Sequence, residues 1–274
     1  MNPQPSGHGA PLQPANHFGY IAYGEDELYH HGALLSALKL LHFCPKANII
    51  VATDKPAIFE RYPIETVELT AEQQDRMSFG QRYHFGIKAA CMIELLKRSE
   101  RLFLMDTDMY PIGDISGCFR QISPTRSLMW RREGIKPPYR ELAGKGIRIG
   151  DYTLTGREVM WASGVVGVHR ENLGVLGEAY AALREVVEAV RAQTPEQFCI
   201  GVVLSREDRR IRQVRLPIWN YSTGGKKLVA RQRVDAFFRT HGGLPLADQI
   251  KKAAGYRLWR TPLDAWRQRD RWSF

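Results

Sequence analysis

Two carboxylates separated by one residue, Asp106 and Asp108, directly follow the apolar run Leu102-Phe103-Leu104-Met105, and Tyr110-Pro111 closes the segment. Like charges that close raise one another's pKa, so a bare pair is costly. A divalent cation removes that cost, and hard oxygen donors with room for substrate phosphates suit Mg²⁺ or Mn²⁺. The chemistry implied is a metal-assisted reaction on a phosphorylated donor. The same residues also fit a plainer role, a strand end with solvated acidic turn residues. An apolar run bounded by a breaker reads as a buried central strand of a parallel sheet. Such a strand delivers the residues after it to the carboxyl edge of the sheet, where open α/β folds bind ligands.

The elements that must position this pair are read from the patterning around it. Residues 18–24 read as a first strand, 25–29 as a polar turn, and 32–43 as a helix with a wide apolar face. Residues 47–54 then form a second strand, completing a βαβ unit that opens an α/β sheet. A short strand is expected at 67–69, and a helix over 84–98 leads directly into the Asp-x-Asp strand. Further strands are expected at 127–130, 161–169 and 211–219. Residues 173–192 have the period of an amphipathic helix, and Thr194-Pro195-Glu196 has the cap-then-proline start of another. The Gly-, Pro- and charge-rich stretch 131–155 is too long for a plain connector and is expected to cover an acceptor site.

Composition bounds the rest. The chain has 274 residues, 44% hydrophobic and 25% charged, as in ordinary globular domains. No apolar run is long enough to span a bilayer, and no signal-type apolar segment opens the chain. Cys44, Cys91, Cys118 and Cys199 are scattered, which predicts reduced thiols in a cytoplasmic protein, not a disulfide framework or zinc site. A formal net charge of +10 favours anionic partners: nucleotide phosphates, acidic glycans or an anionic membrane. No nucleic-acid motif accompanies the charge, so nucleic acid is not an expected partner. Residues 1–17 read as a disordered leader, 18–255 as one α/β domain, and 256–274 as a basic, aromatic tail. That tail is either a helix packed on the domain or a peripheral anchor at the inner membrane face.

With its two strand ends, the Asp-x-Asp and the later Ser163-Gly164-Val165 in this order, the chain resembles nucleotide-sugar glycosyltransferases of the GT-A fold. Its motifs are most similar to those of the retaining family that includes bacterial lipopolysaccharide galactosyltransferases and glycogenin. The resemblance covers roughly residues 18–245 and rests on sparse motifs. It implies a single α/β domain with a central, mostly parallel sheet flanked by helices. It also implies a nucleotide-diphosphate donor, expected to be a UDP-sugar, with a Mn²⁺ or Mg²⁺ cofactor and a glycan or lipid-linked acceptor.

Residue by residue, the resemblance places the nucleotide against Ala22, Tyr23 and Gly24, with Asp54 toward the base and Lys88 toward the donor. Asp106, Thr107 and Asp108 fall at the ribose and metal, Asp106 and Asp108 as ligands. His241 is implied as the third metal ligand, with Gly242 and Gly243 letting backbone approach the diphosphate. The family's lysine six residues after that histidine is replaced by Ala247, leaving Lys226, Lys227 or Arg239 to face the phosphates. Ser163 and Gly164 match the small-residue strand under the sugar ring. Glu196 and Gln197 match an acidic-Gln pair near the anomeric carbon, with Glu in place of Asp. Glu196 equally suits the first turn of a helix without any catalytic role. Retention is implied by the resemblance alone; the residues themselves leave Glu196 open as the base of an inverting enzyme. A sugar-nucleotidyltransferase, or a non-catalytic carbohydrate- or nucleotide-binding protein on the same fold, are the alternatives.

Overall fold

The apolar runs pair edge to edge around the Asp-x-Asp strand. The computed structural model of the chain describes residues 15–222 and 224–259. Strand β1 (His17–Ala22) leads through α1 (Glu27–Phe43) to β2 (Ile49–Thr53) and β3 (Glu65–Glu68). Helices α2 (Ala71–Met77) and α3 (Gly86–Lys97) precede β4 (Arg101–Met105), β5 (Met109–Pro111) and β6 (Arg126–Gly134). The short β7 (Arg148–Ile149) and β8 (Tyr152–Thr153) come before β9 (Met160–His169), α4 (Leu173–Ala189) and α5 (Pro195–Leu204). The chain continues through β10 (Arg210–Gln213), β11 (Ile218–Asn220), α6 (Gly224–His241) and α7 (Leu246–Gly255).

The main sheet has seven strands in the order β10-β6-β9-β4-β1-β2-β3. All its pairings are parallel except those of β9, which runs against both β4 and β6. This is the mostly parallel α/β sheet that the patterning predicts. Side chains alternate across it: Leu102 and Leu104 of β4 join the core under α3, α4 and α5, whereas Phe103 and Met105 join the core under α1 and α6. All four cysteines are buried free thiols.

Several elements differ from expectation. Residues 27–29 belong to α1, whose N-cap Asp26 accepts the Leu28 N–H at 3.0 Å. The polar first turn hides the helix start, because capping replaces apolar periodicity there. Helix α2 carries a capping box between Thr70 and Gln73 but too few buried residues to show a period. The expected strand at 211–219 is two strands, β10 at the edge of the main sheet and β11 paired with β5. The long stretch 131–155 is ordered, with Tyr139 and Leu142 buried in the core. His17 is part of β1, so the leader boundary at 17 falls inside the sheet; residues 1–14 lie outside the described residues. Of the tail, residues 256–259 pack on the domain without helix: Leu258 is buried and Trp259 meets Trp219 at 5.5 Å. Residues 260–274, which carry most of the expected membrane anchor, lie outside the described residues.

One buried cation ties α7 to α1. Lys39 of α1 is 2% exposed, and its ammonium donates to the carbonyls of Ala253 (2.8 Å), Ala254 (3.4 Å) and Tyr256 (2.7 Å). These carbonyls lie where a helix end runs out of intrahelical donors, so Lys39 caps α7, sharing the Ala253 carbonyl with the Tyr256 N–H. The Lys39→Met variant keeps the volume and takes the ammonium donor from the Ala254 and Tyr256 carbonyls. A loss of about 2–4 kcal/mol in denaturant unfolding is expected, with α7 the first segment to exchange amide hydrogens. Unchanged stability would contradict this role.

Candidate active site

The Asp-x-Asp pair sits on a clamped turn. Beyond the last residue of β4, the Asp106 N–H donates to the Gly164 carbonyl of β9 at 2.9 Å, and the Met109 N–H closes the turn onto the Asp106 carbonyl at 2.9 Å. From the far side, the Tyr221 N–H donates to the Asp108 carbonyl at 3.1 Å and the Tyr221 hydroxyl to the Thr107 carbonyl at 3.0 Å. Helix α1 crosses directly behind. A Cβ on its Gly32 would lie 2.6 Å from both the Thr107 oxygen and the Tyr221 hydroxyl, so only glycine admits this approach.

The turn opens into a cleft of about 370 Å³ at the carboxyl edge of the sheet. Lys88 of α3 reaches across it, with its Nζ 2.6 Å from Asp106 Oδ1 and donating to the Ser163 carbonyl and hydroxyl, each at 3.1 Å. Burial works against its charge, but Asp106, Glu196 and Asp108 outweigh burial and hold its pKa above the ordinary lysine value. Asp108 has no such partner at ion-pair distance among the described residues. Burial and the Asp106 charge push its carboxyl up to about 6, against the pull of Lys88 and Lys227. Lys227, near the start of α6, lines the cleft and lies over the Tyr29 ring at 5.1 Å.

Across the cleft, the first turn of α5 presents Glu196 and Gln197. Gln197 Oε1 accepts the Ser163 N–H at 3.2 Å, which fixes that side chain to β9. Glu196 is 2% exposed, and its Oε2 accepts the Tyr83 hydroxyl. Burial raises its pKa, against the opposing pull of Lys88 and Tyr83. Its Oε1 makes no protein hydrogen bond among the described residues.

The cleft therefore brings together Tyr23, Lys88, Asp106, Thr107, Asp108, Ser163, Glu196 and Gln197 from widely separated stretches of sequence. Gly164 stands immediately behind, bonded to Asp106. Other expected residues are placed elsewhere. Ala22 is buried at the end of β1. Asp54 does not line the cleft: its Oδ2 accepts the Gly24 N–H at 2.9 Å and its Oδ1 lies 2.7 Å from His30 Nε2, so both oxygens brace the loop after β1. Gly24 takes φ of +97° in that loop.

His241, Gly242 and Gly243 are not at the site. His241 ends α6, fourteen positions after Lys227 and so about 21 Å along the helix axis. Its ring packs on Phe237, and the Gly242 carbonyl accepts from Arg61 and Gln249. The Gly-Gly pair has the local look of a phosphate loop but is the exit from a helix. Among the described residues no third His, Cys, Asp or Glu joins Asp106 and Asp108 in a metal-holding group. Of the three candidate phosphate cations only Lys227 lines the cleft. Tyr29, His84, Phe85, Gln193, Thr194 and Ser222 also line it and are not among the expected residues. A signal was present for the last: small residues followed by Lys226-Lys227 mark the anion-friendly start of a helix.

The residues fit a hard divalent cation. Two half-buried carboxylates, one of them left without a close counter-charge, supply the oxygen ligands that Mg²⁺ or Mn²⁺ takes when substrate phosphates complete the sphere.

No protein-family model matches the sequence, and no curated protein matches it. Solved structures do. The galactosyltransferase LgtC, in complex with donor and acceptor sugar analogues, superposes with a TM-score of 0.53 at 10% identity, over 92% of this chain and 99% of its own. Mouse xyloside xylosyltransferase 1 gives 0.51 at 12% identity, over 89% and 95%. The bifunctional glycosyltransferase WbbM gives 0.51 at 10% identity, over 92% of this chain and 53% of its own. At such identities the likeness shows the fold, and that fold is GT-A.

A carboxyl whose pKa rises on folding destabilises the fold once ionised. For Asp108 the penalty is absent below about pH 4, grows toward pH 6, and is complete above it. In the presence of a chelator, Asp108→Asn is therefore expected to raise the melting temperature at pH 7.5 by roughly 2–5 °C and to leave it unchanged at pH 4. Added Mn²⁺ is expected to stabilise the wild type more than the variant. A variant less stable than wild type at pH 7.5 without metal would contradict the reading.

Proposed function

We propose that this chain is a metal-dependent glycosyltransferase that moves a sugar from a nucleotide-diphosphate donor to a hydroxyl acceptor. The observation that carries the reading is one cleft at the carboxyl edge of a GT-A sheet holding Asp106, Asp108, Lys88, Lys227 and Glu196 together. A UDP-sugar is the donor, a growing glycan or lipid-linked sugar the acceptor, and Mn²⁺ or Mg²⁺ the cofactor. Asp106 and Asp108 would hold the ion. When bound there it supplies Lewis-acid stabilisation of the negative charge that builds on the departing diphosphate.

The chain's own groups do the rest. Tyr23 and Tyr29 form the aromatic wall for the base. Lys227 and the first-turn N–H groups of α6 oppose the phosphates, the arrangement by which helix N-termini hold anions. Lys88 fixes the rotamer of Asp106 and, through Ser163, the strand against which the sugar ring lies. As the sugar–phosphate bond breaks, positive charge develops on the ring as in glycoside hydrolysis. Glu196 offers its free Oε1 to that charge, with Gln197 beside it. The acceptor hydroxyl bonds to the anomeric carbon on the face the diphosphate leaves and passes its proton to the departing phosphate oxygen, so the sugar is transferred with retention.

The direct test is incubation with UDP-sugars and Mn²⁺, followed by proton NMR of the released or transferred sugar. Turnover with an α-anomeric product from an α-donor is expected, lost by at least about 100-fold in Asp108→Ala. A β-product would overturn retention, and no turnover of any sugar nucleotide would overturn the enzyme reading.

In this reading the acceptor sits at an anionic membrane surface. No described helix is long and apolar enough to cross a membrane. Beside the cleft, however, Leu228 is 60% exposed next to Lys226 and Lys227, and an apolar side chain among cations suits an interfacial contact. Removing residues 260–274, with Arg260, Arg267, Arg269 and Arg271, is expected to lower the partition coefficient onto anionic liposomes by about 100–1,000-fold, about 1 kcal/mol being lost for each cation removed from the surface. Equal sedimentation of the two forms would sink the membrane contact.

A further inference from the structure

Helix α5 starts without a cap of its own. Thr194, its N-cap residue, makes no side-chain cap bond, and Pro195 fills the first helical position. A phenol from a distant segment takes the place of the cap. The Tyr83 oxygen accepts the Glu196 N–H at 3.4 Å and donates to Oε2 of the same residue, the shorter of its two contacts to acceptors, the other being the Gln193 carbonyl at 3.3 Å. Tyr83 thus grips both the backbone and the carboxylate of Glu196.

The segment that delivers this phenol is strained. Phe79, Gly80 and Gln81 have φ of 58°, 68° and 61°, three successive residues in the left-handed region, two of them without glycine's freedom. Such positions are costly and persist only where the surroundings over-determine them. Here they are held firmly. The Gln81 N–H donates to the Ser78 hydroxyl at 3.1 Å and the Tyr83 N–H to the Ser78 carbonyl at 3.0 Å. Phe79 stacks on Tyr180 of α4 at 5.4 Å, and the Tyr180 hydroxyl donates to the Met77 carbonyl at 3.1 Å. A plainer route from α2 to α3 would need no left-handed run.

We propose that Tyr83 is the positioning residue for Glu196: it engages Oε2, leaves Oε1 as the oxygen that faces the sugar, and the left-handed turn serves to bring it there. This rests on the glycosyl-transfer reading of the cleft for its catalytic purpose. Lys88 of α3, Asp106 beyond β4, Tyr139, Tyr23 and Cys199 are the other titratable groups that face or surround the Glu196 carboxyl. Burial and the Glu196 charge push the Tyr83 phenol well above its usual pKa, so it remains a donor through the neutral range. Its bond favours the ionised carboxylate, and removing it moves Glu196 ionisation to higher pH.

Two measurements on the full chain test this. In Tyr83→Phe, kcat for a UDP-sugar is expected to fall about 10–100-fold with donor KM changed less than about 3-fold, and the acid limb of the pH–kcat profile to move up by about one unit. Unchanged kcat and an unmoved limb would overturn the proposal. Independently of turnover, 3-fluorotyrosine placed at position 83 is expected to show a fluorine NMR shift that titrates in the wild-type background and loses that titration in Glu196→Gln. A signal indifferent to Glu196→Gln would overturn the pairing. A titrating signal in a protein that turns over no sugar nucleotide would overturn the glycosyl-transfer reading and the catalytic purpose given to Tyr83, while supporting its grip on Glu196.

Discussion

Electrostatic repulsion between Asp106 and Asp108 is the constraint around which the rest of the structure is arranged. The two carboxylates ride on a turn whose backbone is bonded to β9 on one side and to Tyr221 on the other, so they cannot relax apart. Lys88 neutralises Asp106 from within hydrogen-bond distance, but Asp108 is left with more distant cations and a raised pKa. A fold that holds an unbalanced charge this rigidly gives up stability to do so, a cost that proteins carry at functional sites. Under the proposed function, a divalent cation with phosphates beside it would restore the balance.

Neighbouring elements make sense in relation to that turn. Gly32 within α1 weakens the helix by about 1 kcal/mol relative to alanine, yet it alone lets the helix lie against Thr107. The short β5–β11 pairing carries Tyr221 into place and then sends the chain into α6, whose basic start faces the cleft. On the other wall, α5 gives its first turn to the site, and a phenol from the α2–α3 connection does the capping. Each of these elements sacrifices some local preference to assemble the site, the pattern expected where function and folding compete.

Much of this is legible in the residues. β4 is readable because an apolar run ending in Asp-x-Asp has few other uses, and Lys88 because the helix before it has a clear period. Glu196 and Gln197 can be found from the Thr-Pro start of α5. Short local patterns mislead where a long polar helix is present. Helix α6 buries few residues and shows little periodicity, so Gly242-Gly243 beyond its end imitates a phosphate loop and His241 a ligand. The end of the same helix that lines the cleft is the other one, at Lys227. Asp54 misleads differently: a carboxylate at a strand end is visible in sequence, but its commitment to Gly24 and His30 depends on a long-range contact that no local pattern encodes. Tyr83 is invisible in sequence because its partner is 113 positions away.

Isothermal titration of Mn²⁺ together with UDP, on wild type and on Asp108→Ala, tests the role of the carboxylate pair most directly. Metal and nucleotide are predicted to bind cooperatively to the wild type, each raising the affinity of the other by the same factor, with that coupling abolished in Asp108→Ala. Equal nucleotide binding with and without metal, or coupling that survives the substitution, would contradict Asp106 and Asp108 as the seat of the site.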